Sequence, residues 1–294
     1  MVRRRWCGVL LGLGLLVATA PPALATDGDR APTKEEQRAA ERKLREAERY
    51  LASASAQQAG LSALAICPTS TTTSAPTAAS ATPLAGSGAT TQSCPSVPQG
   101  FLAVEARDQI NGIYCGPAVG QVISNYAWAM GSGLNKYTQN QLATWMRTNQ
   151  NGGTGSWWLA SGLQTATNGS PRQPGGWQWV VQALQDGNRN GTTGDELHGF
   201  VRANISGSRM PLAVSVKPHS RTSGFRLTSW PNPVDSVGHW IAVYGWWDLF
   251  DGDDGARTYY TDSSRDEGGS TGKFWDPTRH IAIMIGEHTK QFVW

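Results

Sequence analysis

Apolar residues in the C-terminal two thirds of the chain recur first with the period of a helix. The clearest case begins at Pro117, which fits the first turn of a helix, and its apolar positions return every three or four residues until Gly131, a natural stop. The same spacing, with Thr138 at an N-cap position, indicates shorter helices farther along. The predicted helices span residues 117–130, 138–146, 177–186 and 195–204.

After Pro211 the pattern changes to short runs rich in β-branched and aromatic residues, which are typical of strands. The predicted strands span residues 212–216, 239–246, 257–261 and 280–285. A set of helices followed by a set of strands favours an α+β domain over a doubly wound one, in which helices and strands would alternate. We therefore expect helices packed on an antiparallel sheet.

The N-terminus carries a different pattern. Three arginines at positions 3–5 precede an apolar run over residues 9–20, and a small-residue motif follows at residues 23–25. This order is typical of a secretory signal peptide, with cleavage before Thr26. The apolar run is too short to span a bilayer. We predict that residues 1–25 are a signal peptide, that the protein is secreted, and that it has no membrane anchor.

Two segments separate the predicted signal peptide from the globular part. Thr33 and Glu36 have the spacing of a capping box, and the charged, Ala-rich sequence after them predicts a helical pro-segment or surface helix within residues 26–66. Residues 67–99 are mostly Ser, Thr, Ala, Pro and Gly, which cannot bury a core, and they are interpreted as a linker. Residues 100–294 have the length of one domain.

The net charge and the cysteine content restrict the possible classes of function. The formal net charge of +3 comes from the three arginines of the signal segment, so the mature chain is neutral and has no electrostatic footprint for nucleic acid. Removing the signal leaves Cys67, Cys94 and Cys115. A disulfide between the two linker cysteines is one possibility, and it would leave Cys115 as a free thiol. The alternative is that Cys115 is a buried, inert thiol.

The strongest chemical signal surrounds Cys115. This residue precedes Gly116 and Pro117 at a predicted helix start, where unpaired N–H groups and the helix macrodipole stabilise a thiolate. Gly116 allows a substrate to approach the backbone closely. Gln109 lies six residues earlier, so its side-chain amide and the N–H of Cys115 are candidates for the two donors of an oxyanion hole.

A thiol nucleophile needs a base, and His239 is the best placed of the five histidines. It follows Gly238 at the start of a predicted strand, which would hold the imidazole rigidly. Asp262 ends the next predicted strand, so it could lie beside His239 and select its tautomer. The alternatives are a core histidine bonded to backbone and an aspartate of a strand-end turn. The histidines in weaker contexts are His198, His219, His280 and His288.

These motifs resemble those of the papain-like cysteine peptidases, and more closely the family 39 branch of the bacteriocin-leader-processing type and its stand-alone relatives. The resemblance rests on Gln109 followed after five residues by Cys115-Gly-Pro-Ala, on the Gly-His239-aromatic-aliphatic strand, and on Asp262 closing the next strand. It implies a papain-like α+β fold with the catalytic cysteine at a helix start. It also implies Cys115 as nucleophile, His239 as general base and acid, Asp262 as the group that orients His239, and Gln109 in the oxyanion hole.

Together these observations predict a secreted, monomeric cysteine hydrolase that cleaves a peptide or related amide bond in a peptide or protein substrate, which the cell envelope could supply. One alternative is an acyl transferase on the same residues. Another is a catalytically silent module that holds cell-wall polymer or peptide on tryptophans, the candidates being Trp157, Trp158, Trp177, Trp179, Trp246 and Trp247. Neither a His-Glu-x-x-His nor a paired Cys-x-x-Cys motif occurs, so we predict no cofactor and no catalytic metal.

Overall fold

The computed structural model describes residues 30–62, 99–185, 192–220, 223–232, 237–248, 256–264 and 268–294. The predicted signal peptide and nearly all of the predicted linker, including Cys67 and Cys94, lie outside the described residues. The described helices are α1 (Lys34–Ser62), α2 (Cys115–Ala127), α3 (Gln139–Trp145), α4 (Ser156–Thr167), α5 (Thr192–Arg202) and α6 (Thr278–Gly286). The strands are β1 (Gln99–Phe101), β2 (Val181–Ala183), β3 (Leu212–Val216), β4 (His239–Asp248), β5 (Ala256–Asp262), β6 (Gly272–Pro277) and β7 (Gln291–Val293). A π-helical turn, Ala203–Ser208, continues α5.

The strands form one antiparallel sheet in the order β2-β7-β3-β4-β5-β6, and β1 pairs with the far end of β4. Strand β4 is the longest and pairs with β3, β5 and β1; His239 at its start pairs with Val216 of β3, and the pairing with β5 begins at Ala242. Helices α2, α5 and α6 pack against this sheet. The expected α+β fold with an antiparallel sheet is confirmed.

Helix α2 passes through the centre of the domain. Every residue from Cys115 to Ala127 is buried, and the helix packs against β4, α3 and α4. A helix with a single apolar stripe would expose its other face to solvent. The burial of all of α2 is consistent with its many apolar residues, such as Val119 and Ile123. The helix begins two residues before the predicted start at Pro117, and it ends earlier than predicted because Ala129 takes a left-handed backbone conformation, with φ +54°.

One predicted strand is a helix. Residues 280–285 were expected to pair in the sheet, but they belong to α6, and β6 occupies the place beside β5 instead. The run His280-Ile-Ala-Ile-Met-Ile is apolar at nearly every position, and such a short run carries no period that separates strand from helix. In the fold, Pro277 directly precedes α6, and the buried side chains of α6 pack against the sheet.

One predicted helix is mostly not helical. Residues 177–185 of the predicted span 177–186 run as extended chain into β2, because Val180 exchanges two backbone hydrogen bonds with Trp294 and β2 pairs with β7. The sequence around Val180 cannot reveal a partner at the opposite end of the chain. Helix α4 and strands β1, β6 and β7 were not predicted. Of the other predicted elements, β3 has the predicted bounds and the rest are present with shifted ends.

Helix α1 packs on the side of the domain that carries α5 and the π-helical turn. Its Lys43 is buried, and the ammonium lies 3.5 Å from the ring centroid of Trp177 and 5.0 Å from that of Trp294. Lys43 Nζ also donates to the carbonyl oxygen of Gln178 at 3.2 Å. Burial lowers the pKa of Lys43 well below its ordinary value. Within the described ranges, no helix is long and apolar enough to cross a membrane.

Candidate active site

Cys115 is the first residue of α2, and its side chain is buried. No side chain caps this helix end. Because the first turn of a helix has no internal partners for its N–H groups, the end of α2 offers donors and a positive partial charge at Cys115. Gly116 is needed here for space, since a Cβ atom would lie 2.5 Å from Thr154 Oγ1. The helix start is therefore tightly covered by the loop that carries Thr154.

The loop of residues 149–155 is a rigid wall beside the helix start. Asn149 and Gly153 exchange two backbone hydrogen bonds of 3.0 Å. Asn149 Oδ1 also accepts hydrogen bonds from the backbone N–H groups of Asn151 and Gly152. Trp240 Nε1 donates to the carbonyl oxygen of Thr154 at 2.9 Å, which ties the loop to β4. Thr154 also shares a 2.7 Å hydrogen bond with Thr148. The position of the wall relative to Cys115 is thus determined by several bonds.

His239 brings the predicted site residues together. It is the first residue of β4 and is 2 % exposed. Its Nε2 lies 2.7 Å from Asp262 Oδ1, at the end of the neighbouring strand β5. The Cys115 side chain also interacts with the His239 imidazole and contributes to raising its pKa. Three elements that are distant in the sequence, α2, β4 and β5, thus place a thiol, an imidazole and a carboxylate in a row.

The electrostatics of this row favour an ion pair. Burial opposes a charge on the imidazole, but the charge of Asp262 and the hydrogen bonds to Asp262 and Cys115 outweigh burial and raise the pKa of His239 to about 10. Burial likewise opposes a charge on Asp262, but His239 and the hydrogen bonds from Ser229 and the Ser264 backbone lower the pKa of this carboxyl below its ordinary value. His239 is therefore an imidazolium, and Asp262 a carboxylate, at neutral pH.

Two residues that the sequence did not single out hold Asp262. Ser229 Oγ donates to Asp262 Oδ2 at 2.6 Å, and Trp230 Nε1 donates to the same oxygen at 2.9 Å. The backbone N–H of Ser264 donates to Oδ1 at 2.9 Å. The Trp230 ring also contacts His239 edge-on, with centroids 5.1 Å apart. No local motif marks Ser229 and Trp230, because their role depends on a contact more than thirty residues away.

A second buried carboxylate supports this arrangement. Asp276 on β6 accepts from Tyr260 Oη at 2.6 Å and from both the N–H and the hydroxyl of Thr228, at 3.0 and 2.7 Å. Tyr260 Oη in turn lies 3.3 Å from Ser229 Oγ. The segment that carries Ser229 and Trp230 is thereby bound to both β5 and β6. Asp262 thus receives its donors from a fixed platform.

Gln109 is buried near the end of β5. Its backbone N–H donates to the carbonyl oxygen of Ser263 at 2.9 Å, and its Oε1 accepts from Ser263 Oγ at 3.4 Å. With Oε1 engaged in this way, the amide nitrogen remains as the donor of the group. The next residue is held too, because the N–H of Ile110 donates to Gln139 Oε1 at 3.0 Å. Gln109 is thus anchored to the residue directly after Asp262.

A cleft of 380 Å³ opens at Cys115. The lining residues are Gly112, Ile113, Cys115, residues 150–156, Ser215, Val237, Gly238, Trp240, His288 and Thr289. None of the six tryptophans proposed for a binding surface lines it, and Trp177 instead holds Lys43. The tryptophan of the cleft is Trp240. No group of three or more His, Cys, Asp or Glu side chains among the described residues could hold a metal ion.

The comparison with protein families agrees with this architecture. The model of the Peptidase_C39 like family matches residues 101–282, which is more than half of the chain. The chain belongs to this family, and the resemblance to C39-like, papain-like peptidases is confirmed. Membership indicates cysteine peptidase activity as the general class of function. A search of curated proteins found no match.

Proposed function

We propose that this protein is an exported cysteine peptidase in which Cys115 is the nucleophile, His239 the general base and acid, Asp262 the group that orients His239, and Gln109 a donor of the oxyanion hole. One observation carries the proposal: the buried His239 is hydrogen-bonded to Asp262, and the Cys115 side chain interacts with the same imidazole and helps to raise its pKa. This is the relation between nucleophile, base and orienting group that covalent acyl transfer requires.

The first half-reaction forms an acyl-enzyme. His239 already carries the proton at neutral pH, and the sulfur of Cys115 attacks the carbonyl carbon of the scissile amide as the thiolate. Negative charge moves to the carbonyl oxygen, where the Gln109 amide and the N–H of Cys115 stabilise it. The imidazolium then gives its proton to the amide nitrogen, the C–N bond breaks, and the amine leaves. A thioester to Cys115 remains.

The second half-reaction releases the acid product. A water molecule loses a proton to His239 and attacks the thioester carbon. The tetrahedral intermediate collapses, the C–S bond breaks, and the Cys115 thiolate and the His239 imidazolium are restored. Throughout both steps, the Asp262 carboxylate holds Nε2 of His239, so the other ring nitrogen stays directed at Cys115.

The substrate proposed for this site is a peptide or protein segment in extended conformation outside the cell membrane. Export is supported by the arginines, the apolar run and the small-residue motif within residues 1–25. N-terminal sequencing of the protein recovered from the culture medium tests it, since a mature chain should begin at Thr26. A chain that stays in the cytoplasm with Met1 intact would contradict export.

The central test is substitution of the thiol. We expect Cys115→Ala to abolish cleavage of peptide amides while leaving the free energy of unfolding nearly unchanged. Iodoacetamide labelling, with the labelled cysteines located by mass spectrometry, should find Cys115 as the fastest-reacting thiol. Because Cys67 and Cys94 are also in the chain, the Cys67→Ala variant serves as the matched control and should keep full activity. A Cys115→Ala protein that still turns over substrate would end the proposal.

We further propose that α1 supports the domain and does not block the active site. None of the α1 side chains that the structure describes lines the cleft, and the buried Lys43 lies against Trp177, Trp179 and Trp294. A chain that lacks residues 26–62 should therefore unfold at a lower temperature, and its kcat/KM at a temperature where it is folded should not rise. An increase in kcat/KM on removal of α1 would identify it as an inhibitory pro-segment.

A further inference from the structure

One part of the cleft is polar but uncharged. It consists of Ser215 on β3, Gly238 and Trp240 at the start of β4, and His288 and Thr289 after α6, and we call these residues the β-side pocket. Gly238 is adjacent in sequence to His239, so the pocket lies directly beside the proposed catalytic base. Among the described residues that line the cleft, there is no Asp, Glu, Lys or Arg. A substrate group that binds in this pocket can therefore form hydrogen bonds with the lining residues, but it finds no charged side chain there with which to form an ion pair.

Ser215 is an unusual residue for its position. It is the one polar side chain of β3, a strand in which all five residues are buried, and it is 1 % exposed. Its Oγ has no hydrogen-bond partner among the described residues, and Ser215 lines the cleft. A buried hydroxyl without a partner costs free energy, and proteins rarely keep one without a use. A ligand group in the pocket would supply the missing partner.

His288 gives the pocket a second polar group. The ring lies against Gly238, where a Cβ atom would be only 2.2 Å from His288 Nε2, so glycine makes room for the imidazole. Burial, the charge of Lys217 and the charge of His239 lower the pKa of His288 to about 4. The imidazole is therefore neutral at pH 7, with one nitrogen as donor and the other as acceptor. The pocket thus offers both donors and acceptors from neutral groups.

We infer that the β-side pocket receives a carboxamide side chain, glutamine or asparagine, of the peptide substrate. The inference rests on the proposed peptidase function and names its substrate class. A carboxamide carries one acceptor oxygen and two N–H donors, which complement a hydroxyl and a neutral imidazole. An aliphatic side chain would fill the space but leave Ser215 unpaired, and sites built for hydrogen bonding reject such analogues strongly. An ammonium or carboxylate group would be buried without an ion-pair partner in the lining.

The test uses acetylated tripeptide aldehydes, which add reversibly to a reactive thiol. Each position in turn is Gln, Asn, Leu, Met, Lys or Glu, and the inhibition constant of each aldehyde is measured at pH 7. At one position, we expect Gln or Asn to bind about 10- to 100-fold more tightly than the similarly sized Leu or Met. In Ser215→Ala, this preference should fall to about threefold or less, while the Leu peptide binds as before.

Two further variants separate recognition from general damage. His288→Phe keeps a ring against Gly238 but removes both nitrogens, and it should lose the same preference as Ser215→Ala. Ser170 is a matched control, because it is also a buried hydroxyl without a partner but does not line the cleft. Ser170→Ala should keep the full carboxamide preference.

The outcomes distinguish this inference from the function on which it rests. An enzyme that binds the aldehydes through Cys115 but prefers Leu, Met, Lys or Glu at every position, or shows no preference, retains the peptidase proposal and overturns the carboxamide inference. A preference that survives in Ser215→Ala and in His288→Phe also overturns it. A protein that binds no aldehyde, and whose Cys115 is not alkylated faster than a free cysteine, overturns both.

Discussion

Replacing Asp262 with asparagine would test the proposed role of this carboxylate with almost no change in shape. Each of its two oxygens accepts two hydrogen bonds: Oδ1 from His239 and Ser264, and Oδ2 from Ser229 and Trp230. An asparagine must turn an NH₂ group toward one of these pairs. On either side it meets at least one N–H that cannot become an acceptor, either the Ser264 backbone or the Trp230 indole.

The magnitude follows from these contacts. A buried donor left unpaired costs about 1–3 kcal/mol, so Asp262→Asn should lower the free energy of unfolding by that amount. In Asp262→Asn the negative charge that raises the pKa of His239 is lost, while the burial that lowers this pKa remains. The pKa of His239 should therefore fall from its raised value. A base in the wrong protonation state or tautomer loses its contribution to catalysis, and we expect kcat/KM to fall about 10²- to 10⁴-fold.

The assay compares kcat/KM for a fluorogenic peptide amide at pH 7 with unfolding in urea. Asp276→Asn is the matched control, because Asp276 is also a buried carboxylate surrounded by the donors of Tyr260 and Thr228, but it does not contact His239. The control should lose stability to a similar extent, and because Asp276 acts on His239 only through the segment of Ser229 and Trp230, its kcat/KM should fall much less than that of Asp262→Asn. If Asp262→Asn stays within threefold of the wild-type kcat/KM, the assigned role of Asp262 is refuted.

Three further predictions concern other parts of the fold. Gly116→Ala places a methyl group 2.5 Å from Thr154 Oγ1, so the free energy of unfolding, measured in urea, should fall by about 1–3 kcal/mol. Iodoacetamide should also label the Cys115 thiol more slowly. Unchanged values of both would show that the loop of Thr154 moves to accept the methyl group. The pKa of Lys43 is lower in the folded chain than its ordinary value of 10.5, so between these two pKa values the unfolded chain binds more protons than the folded chain. The free energy of unfolding of the wild type, relative to that of Lys43→Met, should therefore rise as the pH increases toward 10.5. A difference that does not change with pH would contradict the burial of Lys43. Because the pKa of His239 is raised, its proton for the leaving amine is present at neutral pH, and kcat/KM should fall as pH rises through about 10; a fall near pH 6.5 would contradict the ion pair.

Much of the candidate site was predictable because its motifs are local. Cys115 before Gly116 and Pro117, and His239 after Gly238, are recognisable from neighbours in the chain. The structure confirms that a helix begins at Cys115 and that a strand begins at His239. It also places Asp262 at 2.7 Å from His239, while the catalytic roles of these residues stay predictions.

The surroundings of the site were not predictable, because each depends on a contact between distant segments. Ser229 and Trp230 read as loop residues until the fold brings them to Asp262. In the sequence, Ser215 is a polar residue in an apolar strand, and His288 is one of four histidines in weaker contexts than His239. Hydrogen bonds between side chains leave no periodic trace in the sequence, so only coordinates reveal them.

The sequence by itself determined the fold class, the family resemblance and the order of the reactive residues, since helix starts, strand starts and short motifs are properties of neighbouring residues. Only the tertiary structure decided that residues 278–286 form a helix and that residues 181–183 form a strand with the C-terminus. An apolar run satisfies its backbone hydrogen bonds equally well in either form, and the choice falls to the surface on which its side chains are buried.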